Sequence, residues 1–316
     1  MNSGKLRVGV IGVGSLGQWH ARIYSELQNT ELVGVYDANS ERAAEIAERY
    51  GTQPFSTIEE LASQIDAASI VVPTNIHFDV FRELLPYKIH MLMEKPIAAS
   101  YEQAEEMVSL AEENNIIIQV GHVERFNPVM KFLEENLSQA RFIEATRLAP
   151  FPPPRKGAPP RGTEVSVVLD LMIHDLDIIL QLAQSPVKSI NATGVSVLSP
   201  TEDIANARIG FENGCVANVS ASRISREQLR KIRVFQDESY LSLDYMNQSG
   251  LLCRKTGSGI ETLPVPIDKT EPLEAELHSF AECVLNRDNP IVTGRHGTEA
   301  LRLAVSICRT IQENPS

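Results

Sequence analysis

The sequence predicts an α/β protein: an amino-terminal doubly wound parallel sheet, followed by a carboxyl-terminal α+β domain with a mostly antiparallel open sheet. Three observations carry that expectation. Up to Gly121, short apolar runs alternate with amphipathic helical stretches, the pattern of strands covered on both faces by crossover helices. From Lys188 to Pro266 short strands follow one another, and Asn213-Gly214 between two of them is a strong hairpin signal. Two amphipathic helices then close the chain. With 316 residues, and roughly 150 per domain as a prior, the expected division is 1–122 and 123–316.

The elements of the first part follow in order. Leu6–Ile11 reads as a buried strand, Gly14–Glu26 as a helix, and Glu31–Tyr36 as a second strand ending at Asp37. Ser40 is placed to cap a helix whose Ala43, Ile46, Ala47 and Tyr50 share one face, with Gly51 as its stop. Ala67–Val72 is a third buried strand, broken by Pro73, and His90–Met93 a fourth, ended by Pro96. Ser100 and Gln103 have capping-box spacing at the start of a helix running to about Asn114, and Ile116–Val120 is the next strand.

In the second part, Pro150–Pro160 contains six prolines and predicts an extended loop. Val167–Leu182 reads as a helix before the strand-rich stretch. In the closing helices, Leu277, Phe280, Ala281 and Val284 form one apolar stripe, and Leu301, Ala304, Val305 and Cys308 the other.

Composition narrows the class. At 43% hydrophobic and 22% charged residues the chain is an ordinary globular protein, and a net charge of −12 argues against a general nucleic-acid binder. No apolar run approaches the roughly 20 residues a membrane span needs, and Met1–Arg7 lacks a signal-peptide pattern, so a cytoplasmic protein is expected. Cys215, Cys253, Cys283 and Cys308 form no CxxC or Cys/His cluster; reduced thiols and no metal site are expected.

Gly12-Val13-Gly14-Ser15-Leu16-Gly17 is a G-x-G-x-x-G between a strand and a helix. Its first glycine permits the tight turn, its second lets backbone approach a pyrophosphate, and its third lets the helix pack on the sheet. The helix amino terminus offers N–H groups to phosphate. Asp37 ends the next strand, where a carboxylate binds a ribose 2′-hydroxyl and repels a 2′-phosphate. This is a Rossmann domain for a dinucleotide, expected to be NAD rather than NADP, although Arg42 lies near enough to assist a phosphate.

Three more segments bear chemistry: Pro73-Thr74-Asn75-Ile76-His77, Glu94-Lys95-Pro96, and Asp170 with His174. The first two follow strands, at the carboxyl ends where ligands of doubly wound folds bind. Pro96 disfavours helical geometry at Lys95, and the spacing of four puts Asp170 and His174 on one helical face. An imidazole can accept a proton at neutral pH, a lysine ammonium can stabilise an alkoxide, and an aspartate can orient the imidazole. His77 reads equally as a contact near a nicotinamide or as a structural hydrogen bond, and Glu94 as a cofactor contact or a loop brace.

With GVGSLG, PTNIH, EKP, Asp170…His174 and the terminal ELHSFAECVLNRDNPIVTGRHGTEALRLA, the sequence resembles the glucose–fructose oxidoreductase, inositol dehydrogenase and rhizopine-catabolism (Gfo/Idh/MocA) family over nearly its whole length. The resemblance implies an NAD-dependent oxidoreductase with Lys95 and His174 as proton-handling residues, Asp170 beside them, and a homodimer or homotetramer. Val72 departs from the family, many members of which carry threonine before the proline. Gly121-His122-Val123-Glu124-Arg125-Phe126-Asn127-Pro128 and Asp170–Asp177 look most like the subgroup that oxidises nucleotide-linked amino sugars. That resemblance implies oxidation at C3 of a substrate such as UDP-N-acetylglucosamine, a step toward a diamino lipid A sugar. His122, Arg125 and Asn127 are then substrate contacts. Arg155, Lys156 and Arg161 make the proline-rich loop basic in an acidic chain, which suits either a diphosphate or a solvated loop. The alternatives are oxidation of a UDP-hexosaminuronate or an inositol-type polyol, and a non-catalytic dinucleotide sensor.

Overall fold

In the computed structural model, which describes residues 4–154 and 160–314, the chain divides into two compact units. The first comprises Met1–Val123 with Glu271–Thr298, and the second Glu124–Thr270 with Glu299–Ser316.

The first unit alternates strands and helices in the predicted order: β1 (Leu6–Ile11), α1 (Gly17–Glu26), β2 (Thr30–Tyr36), α2 (Ser40–Tyr50), β3 (Gln53–Pro54), α3 (Ile58–Ala62), β4 (Ala67–Ile70), α4 (His77–Leu84), β5 (His90–Met93), α5 (Tyr101–Glu113) and β6 (Ile118–Val120). The pairings among these six strands are parallel, in the order β3-β2-β1-β4-β5-β6. The order reverses between β1 and β4, and the carboxyl ends flanking such a switch point are where doubly wound folds bind ligands. Both faces of the sheet are covered, so β4 and β5 are buried at every residue and read as apolar runs.

Local chemistry moved several boundaries. Residues 13–16 stay in the loop, so α1 begins at Gly17 rather than Gly14. The cap of α2 is Asn39, not Ser40: its side-chain oxygen accepts from the N–H groups of Glu41 and Arg42, while Gly51 ends the helix in the left-handed region at φ 66°. β4 stops at Ile70, although the Val71 N–H still donates to the Ile11 carbonyl. At α5, Ser100 does accept from the Gln103 N–H.

The second unit holds α6 (Pro128–Asn136), β7 (Phe142–Leu148), α7 (Ile173–Ala183), β8 (Val187–Val195), β9 (Ile204–Phe211), β10 (Val216–Ser222), β11 (Leu229–Gln236), β12 (Ser239–Asp244), β13 (Ser249–Thr256) and β14 (Gly259–Pro264). Its sheet runs β14-β13-β12-β11-β7-β10-β9-β8, antiparallel except for β7 beside β10. One face carries Ile143, Ala145, Ala207, Ile209, Val219 and Val234 into a core with Leu133 and Leu176 of the helices. The expected hairpin turns at Asn213-Gly214, with Gly214 at φ 87°. The helix expected over Val167–Leu182 opens instead with a wide π-type turn, Val168–Met172, before α7.

Two helices remain: α8 (Pro272–Asn286) and α9 (Gly294–Glu313). The sequence assigned everything after residue 122 to the second domain, but Glu271–Thr298 groups with the first unit. The apolar stripe of α8 is the reason: Leu277, Phe280, Ala281 and Val284 belong to the core that holds Val8, Val10, Ala21 and Tyr24. Among the described residues no helix is long and apolar enough to cross a membrane.

Phe280 is fully buried in that core. Phe280→Ala should therefore cost about 3–5 kcal/mol and lower the melting temperature by roughly 6–20 °C. A change of under about 2 °C in calorimetry would deny α8 its place in the first core.

Candidate active site and dinucleotide cradle

In the first unit the glycine loop has the geometry a dinucleotide needs. Gly12 turns the chain at φ 86°, and a Cβ on Gly17 would stand 1.8 Å from the Gly12 carbonyl oxygen, so α1 can start there only on glycine. Beside Gly14 there is nothing within 4 Å of a Cβ position, which leaves room above the loop tip where Gly14 and Ser15 are exposed. Leu16 gives α1 no side-chain cap; the Gln18 and Trp19 N–H groups donate to the Gly14 and Leu16 carbonyls, and the helix still turns its positive end toward the loop, where an anion would sit. These residues fit NAD: the loop and helix start would take its pyrophosphate, and Asp37 an adenosine ribose.

Asp37 does more than the sequence suggested. Its Oδ2 accepts from the Val13 N–H at 2.8 Å and its Oδ1 from the Asn39 N–H at 2.9 Å, so the prospective ribose ligand also braces the glycine loop. Arg42, weighed as an aid to phosphate, is committed elsewhere. Its Nε donates to the Val13 carbonyl at 2.9 Å and its Nη1 to Glu45 at 2.7 Å.

At the ends of β4 and β5 the structure separates scaffold from surface. Pro73 and Asn75 are exposed and Thr74 half-buried, in a short turn before α4. His77 acts as a brace. It is fully buried, with Nδ1 at 3.0 Å from the Pro96 carbonyl and Nε2 at 3.0 Å from the Val72 carbonyl, and burial lowers its pKa. It thereby ties the turn after β4 to the loop after β5. In that loop the Lys95-Pro96 bond is cis and Lys95 is half-buried. Glu94 is buried; its Oε2 accepts from the Lys95 N–H at 3.3 Å, and its Oε1 lies 3.3 Å from Nε2 of His20. Burial alone would raise the Glu94 carboxyl, but the hydrogen bond from His20 and the charges of His20 and Lys95 hold it below the usual range. His20, on α1, was missed by the sequence reading. His122 is buried just past β6.

In the second unit Asp170 lies in the π-type turn and His174 in the first turn of α7, both half-buried. Such insertions are over-represented at functional sites. Asp170 packs against the backbone of Gly162, where an added Cβ would come within 2.4 Å of its Oδ2. Arg223, buried, donates to the carbonyls of Gly162 and Val165 and pairs with Asp203 at 2.8 Å, so it holds the segment beside Asp170. Arg161, next to Gly162, is exposed. Arg155 and Lys156 lie outside the described residues.

Next to His174, Asp175 is buried and bridges to Arg147: Nε–Oδ2 is 2.7 Å and Nη2–Oδ1 3.3 Å, and Nη1 of Arg147 reaches Glu124 at 3.0 Å. Burial works against the Arg147 guanidinium, yet the two carboxylates outweigh it and raise its pKa. Arg147 was not singled out from the sequence. Arg125 and Asn127, expected to touch substrate, also have structural partners. Arg125 pairs with Asp177 at 3.5 Å, both side chains buried. Asn127 caps α6 by accepting from the Val129 N–H and donates to the Tyr245 carbonyl.

The double duty of Asp37 sets a prediction. Asp37→Ala should remove both the ribose bond and the Val13 brace, worth about 1.5–3 kcal/mol for a bond to a charged group, hence roughly 10- to 150-fold weaker NAD binding. It should also narrow the preference for NAD over NADP in titration calorimetry. An unchanged preference would refute the role of this carboxylate.

Residues 6–122 match the model of an oxidoreductase family with an NAD-binding Rossmann fold, and residues 134–242 match the GFO/IDH/MocA C-terminal domain. The chain is 34% identical to UDP-N-acetylglucosamine 3-dehydrogenase of Acidithiobacillus ferrooxidans, across 96% of both chains. A solved structure of that enzyme superposes with a TM-score of 0.92, covering 98% of each chain. The scyllo-inositol 2-dehydrogenase (NAD(+)) of Bacillus subtilis is 27% identical over 96% of this chain and 93% of its own. Levoglucosan dehydrogenase, solved in complex with NADH, shares the fold at 18% identity and a TM-score of 0.88. With both units matched and a glycine loop built for the cofactor, the chain belongs to the Gfo/Idh/MocA family of NAD-dependent oxidoreductases.

Proposed function

We propose that the protein oxidises a secondary hydroxyl, at C3, of a UDP-linked amino sugar such as UDP-N-acetylglucosamine. The observation that carries this reading is the 34% identity to a UDP-N-acetylglucosamine 3-dehydrogenase over 96% of both chains, and the sequence motifs with Lys95, Asp170 and His174 support it. Bound NAD supplies the hydride acceptor. The chain's own residues handle the proton: His174 takes it from the substrate hydroxyl as the carbon–hydrogen bond breaks, and the products are a ketone, NADH and a proton. The ammonium of Lys95 stabilises the developing alkoxide, and Asp170 beside His174 favours the protonated imidazole. Arg161, with Arg155 and Lys156, gives the proline-rich segment the positive charge that a diphosphate calls for.

A second reading, oxidation of a free polyol, has support from two inositol dehydrogenases, 27% and 24% identical, that match nearly the whole chain. A dinucleotide sensor without chemistry would have no use for a proton acceptor and an ammonium. Lys95 and His174 therefore count against it.

Mixing the protein with NAD and a panel of UDP-sugars and inositols should give NADH absorbance with UDP-N-acetylglucosamine. Lys95→Ala and His174→Ala should each lower kcat by roughly 10²–10⁴-fold while NAD still quenches Trp19, the only tryptophan of the chain. Turnover of inositol alone would install the polyol reading, and NAD binding without turnover of any sugar the sensor. Arg161→Ala should raise KM for the UDP-sugar by about tenfold, the loss of one charge-assisted bond, and leave KM for NAD in place. Equal effects on the two would remove Arg161 from diphosphate binding.

A further inference from the structure

Arg161 stands on a fastened turn of the second unit. In Pro160-Arg161-Gly162-Thr163 the Thr163 N–H donates to the Pro160 carbonyl at 3.2 Å, and Gly162 stands third at φ 82°, the pattern of a type II turn. The Thr163 hydroxyl donates to the same Pro160 carbonyl at 2.7 Å. Arg161, second in the turn, is exposed. Gly162 is pressed on the carboxylate of Asp170, where a Cβ would lie 2.4 Å from Oδ2, so glycine is needed for the approach as well as for the turn.

Arg223, just past β10 and 2% exposed, does the fastening. Its five N–H donors meet five acceptors. Nη1 donates to the carbonyls of Gly162 and Val165, Nη2 to the hydroxyls of Ser199 and Thr201, and Nε to Asp203 Oδ1 at 2.8 Å. The Thr201 hydroxyl reaches the Val165 carbonyl at 2.8 Å and the Thr163 carbonyl at 3.2 Å, so a second side chain grips the same segment. Asp203, fully buried, accepts from the N–H groups of Val197, Leu198 and Ser199, and thereby anchors the guanidinium to the β8–β9 loop. A buried ion pair adds little net stability to a turn. What the planar guanidinium supplies is a fixed direction.

In a UDP-linked amino sugar oxidised at C3, one ring carbon separates the reacting carbon from the anomeric carbon that bears the diphosphate. Groups that serve the hydroxyl and the diphosphate must then stand about one sugar ring apart. Gly162 touches Asp170 and neighbours Arg161 in the chain, so its backbone links the two. We propose that Arg223 is a positioning residue of the substrate site: it sets the Arg161 turn against Asp170, at the spacing a sugar ring puts between a reacting hydroxyl and a diphosphate. This deepens the dehydrogenase reading and rests on it. A turn ordered in advance spares the ordering that a free loop undergoes on binding.

Dissociation constants of UDP with NAD at saturation, and of NAD alone, measured by calorimetry on the full chain, test the proposal. UDP is the probe because it carries the diphosphate without the sugar. Arg161→Ala should weaken UDP binding by about tenfold, the loss of one charge-assisted bond. Arg223→Gln should weaken it by a similar factor and leave NAD binding in place. The double variant should bind UDP no more weakly than Arg161→Ala alone, because a residue that acts through Arg161 then has nothing left to position. Thr201→Val, which removes only the second grip, should weaken UDP binding by about threefold. If Arg223→Gln does not fold, Thr201→Val and its combination with Arg161→Ala decide instead. Full UDP affinity in the deciding variant overturns the proposal, as do effects that multiply in its combination with Arg161→Ala. UDP affinity unchanged in Arg161→Ala would sink the diphosphate reading itself, and the role of Arg223 with it.

Discussion

The glycine loop, the loop after β5, the helix bearing His174 and the turn bearing Asp170 are each held by an acidic side chain with its own built-in donor. Asp37 takes the Val13 N–H and fixes the glycine loop. Glu94 takes His20 and the N–H of Lys95. Asp175 and Asp177, on the same helix as His174, take Arg147 and Arg125. Asp203 takes Arg223, which in turn grips the carbonyls beside Asp170. Removing one partner of a buried pair strands a charge and is strongly destabilising, while the intact pair adds little net stability. What such pairs supply is a fixed position, and they occur where a residue must be aimed.

The two units solve the placement problem differently. In the first, the parallel sheet places the strand ends in a row, and the loops need only short braces such as His77 between the Val72 and Pro96 carbonyls. In the second, the sheet is mostly antiparallel, and the helix bearing His174 lies against its apolar face. The hydrophobic contact that holds a helix on an apolar face is non-directional and by itself specifies the helix's position along the sheet less sharply than a bond does. The bidentate contact of Arg147 with Asp175, fixed in direction by the planar guanidinium, removes that freedom.

Much of this was legible in the sequence, where a residue's role is decided by its neighbours in the chain. The three glycines of the loop, the left-handed stop at Gly51, the Ser100 cap and the turn at Asn213-Gly214 are local devices, and each appears as read. The lost information is partner identity across distance. The partners of Arg125 and Asn127, Asp177 and the Tyr245 carbonyl, come from 52 and 118 residues away. His20 reads as one more polar residue of a helix until β5 delivers Glu94 to it. The stripe of α8 was visible, but nothing in it says which of two cores it completes.

β7 shows why the gaps in the reading and the functional residues coincide. Its segment Phe142–Leu148 alternates with period two, and Ile143, Ala145 and Arg147 face inward. An arginine on the inward row breaks the apolar pattern by which a strand is recognised. That arginine is tolerated there only because Asp175 and Glu124 meet it in the interior. A protein that had only to bury this face would place valine or leucine at the position and lose the register of α7. The cost of a buried ion pair is therefore evidence of what the second unit must do: hold one helix, and the histidine on it, in a single place.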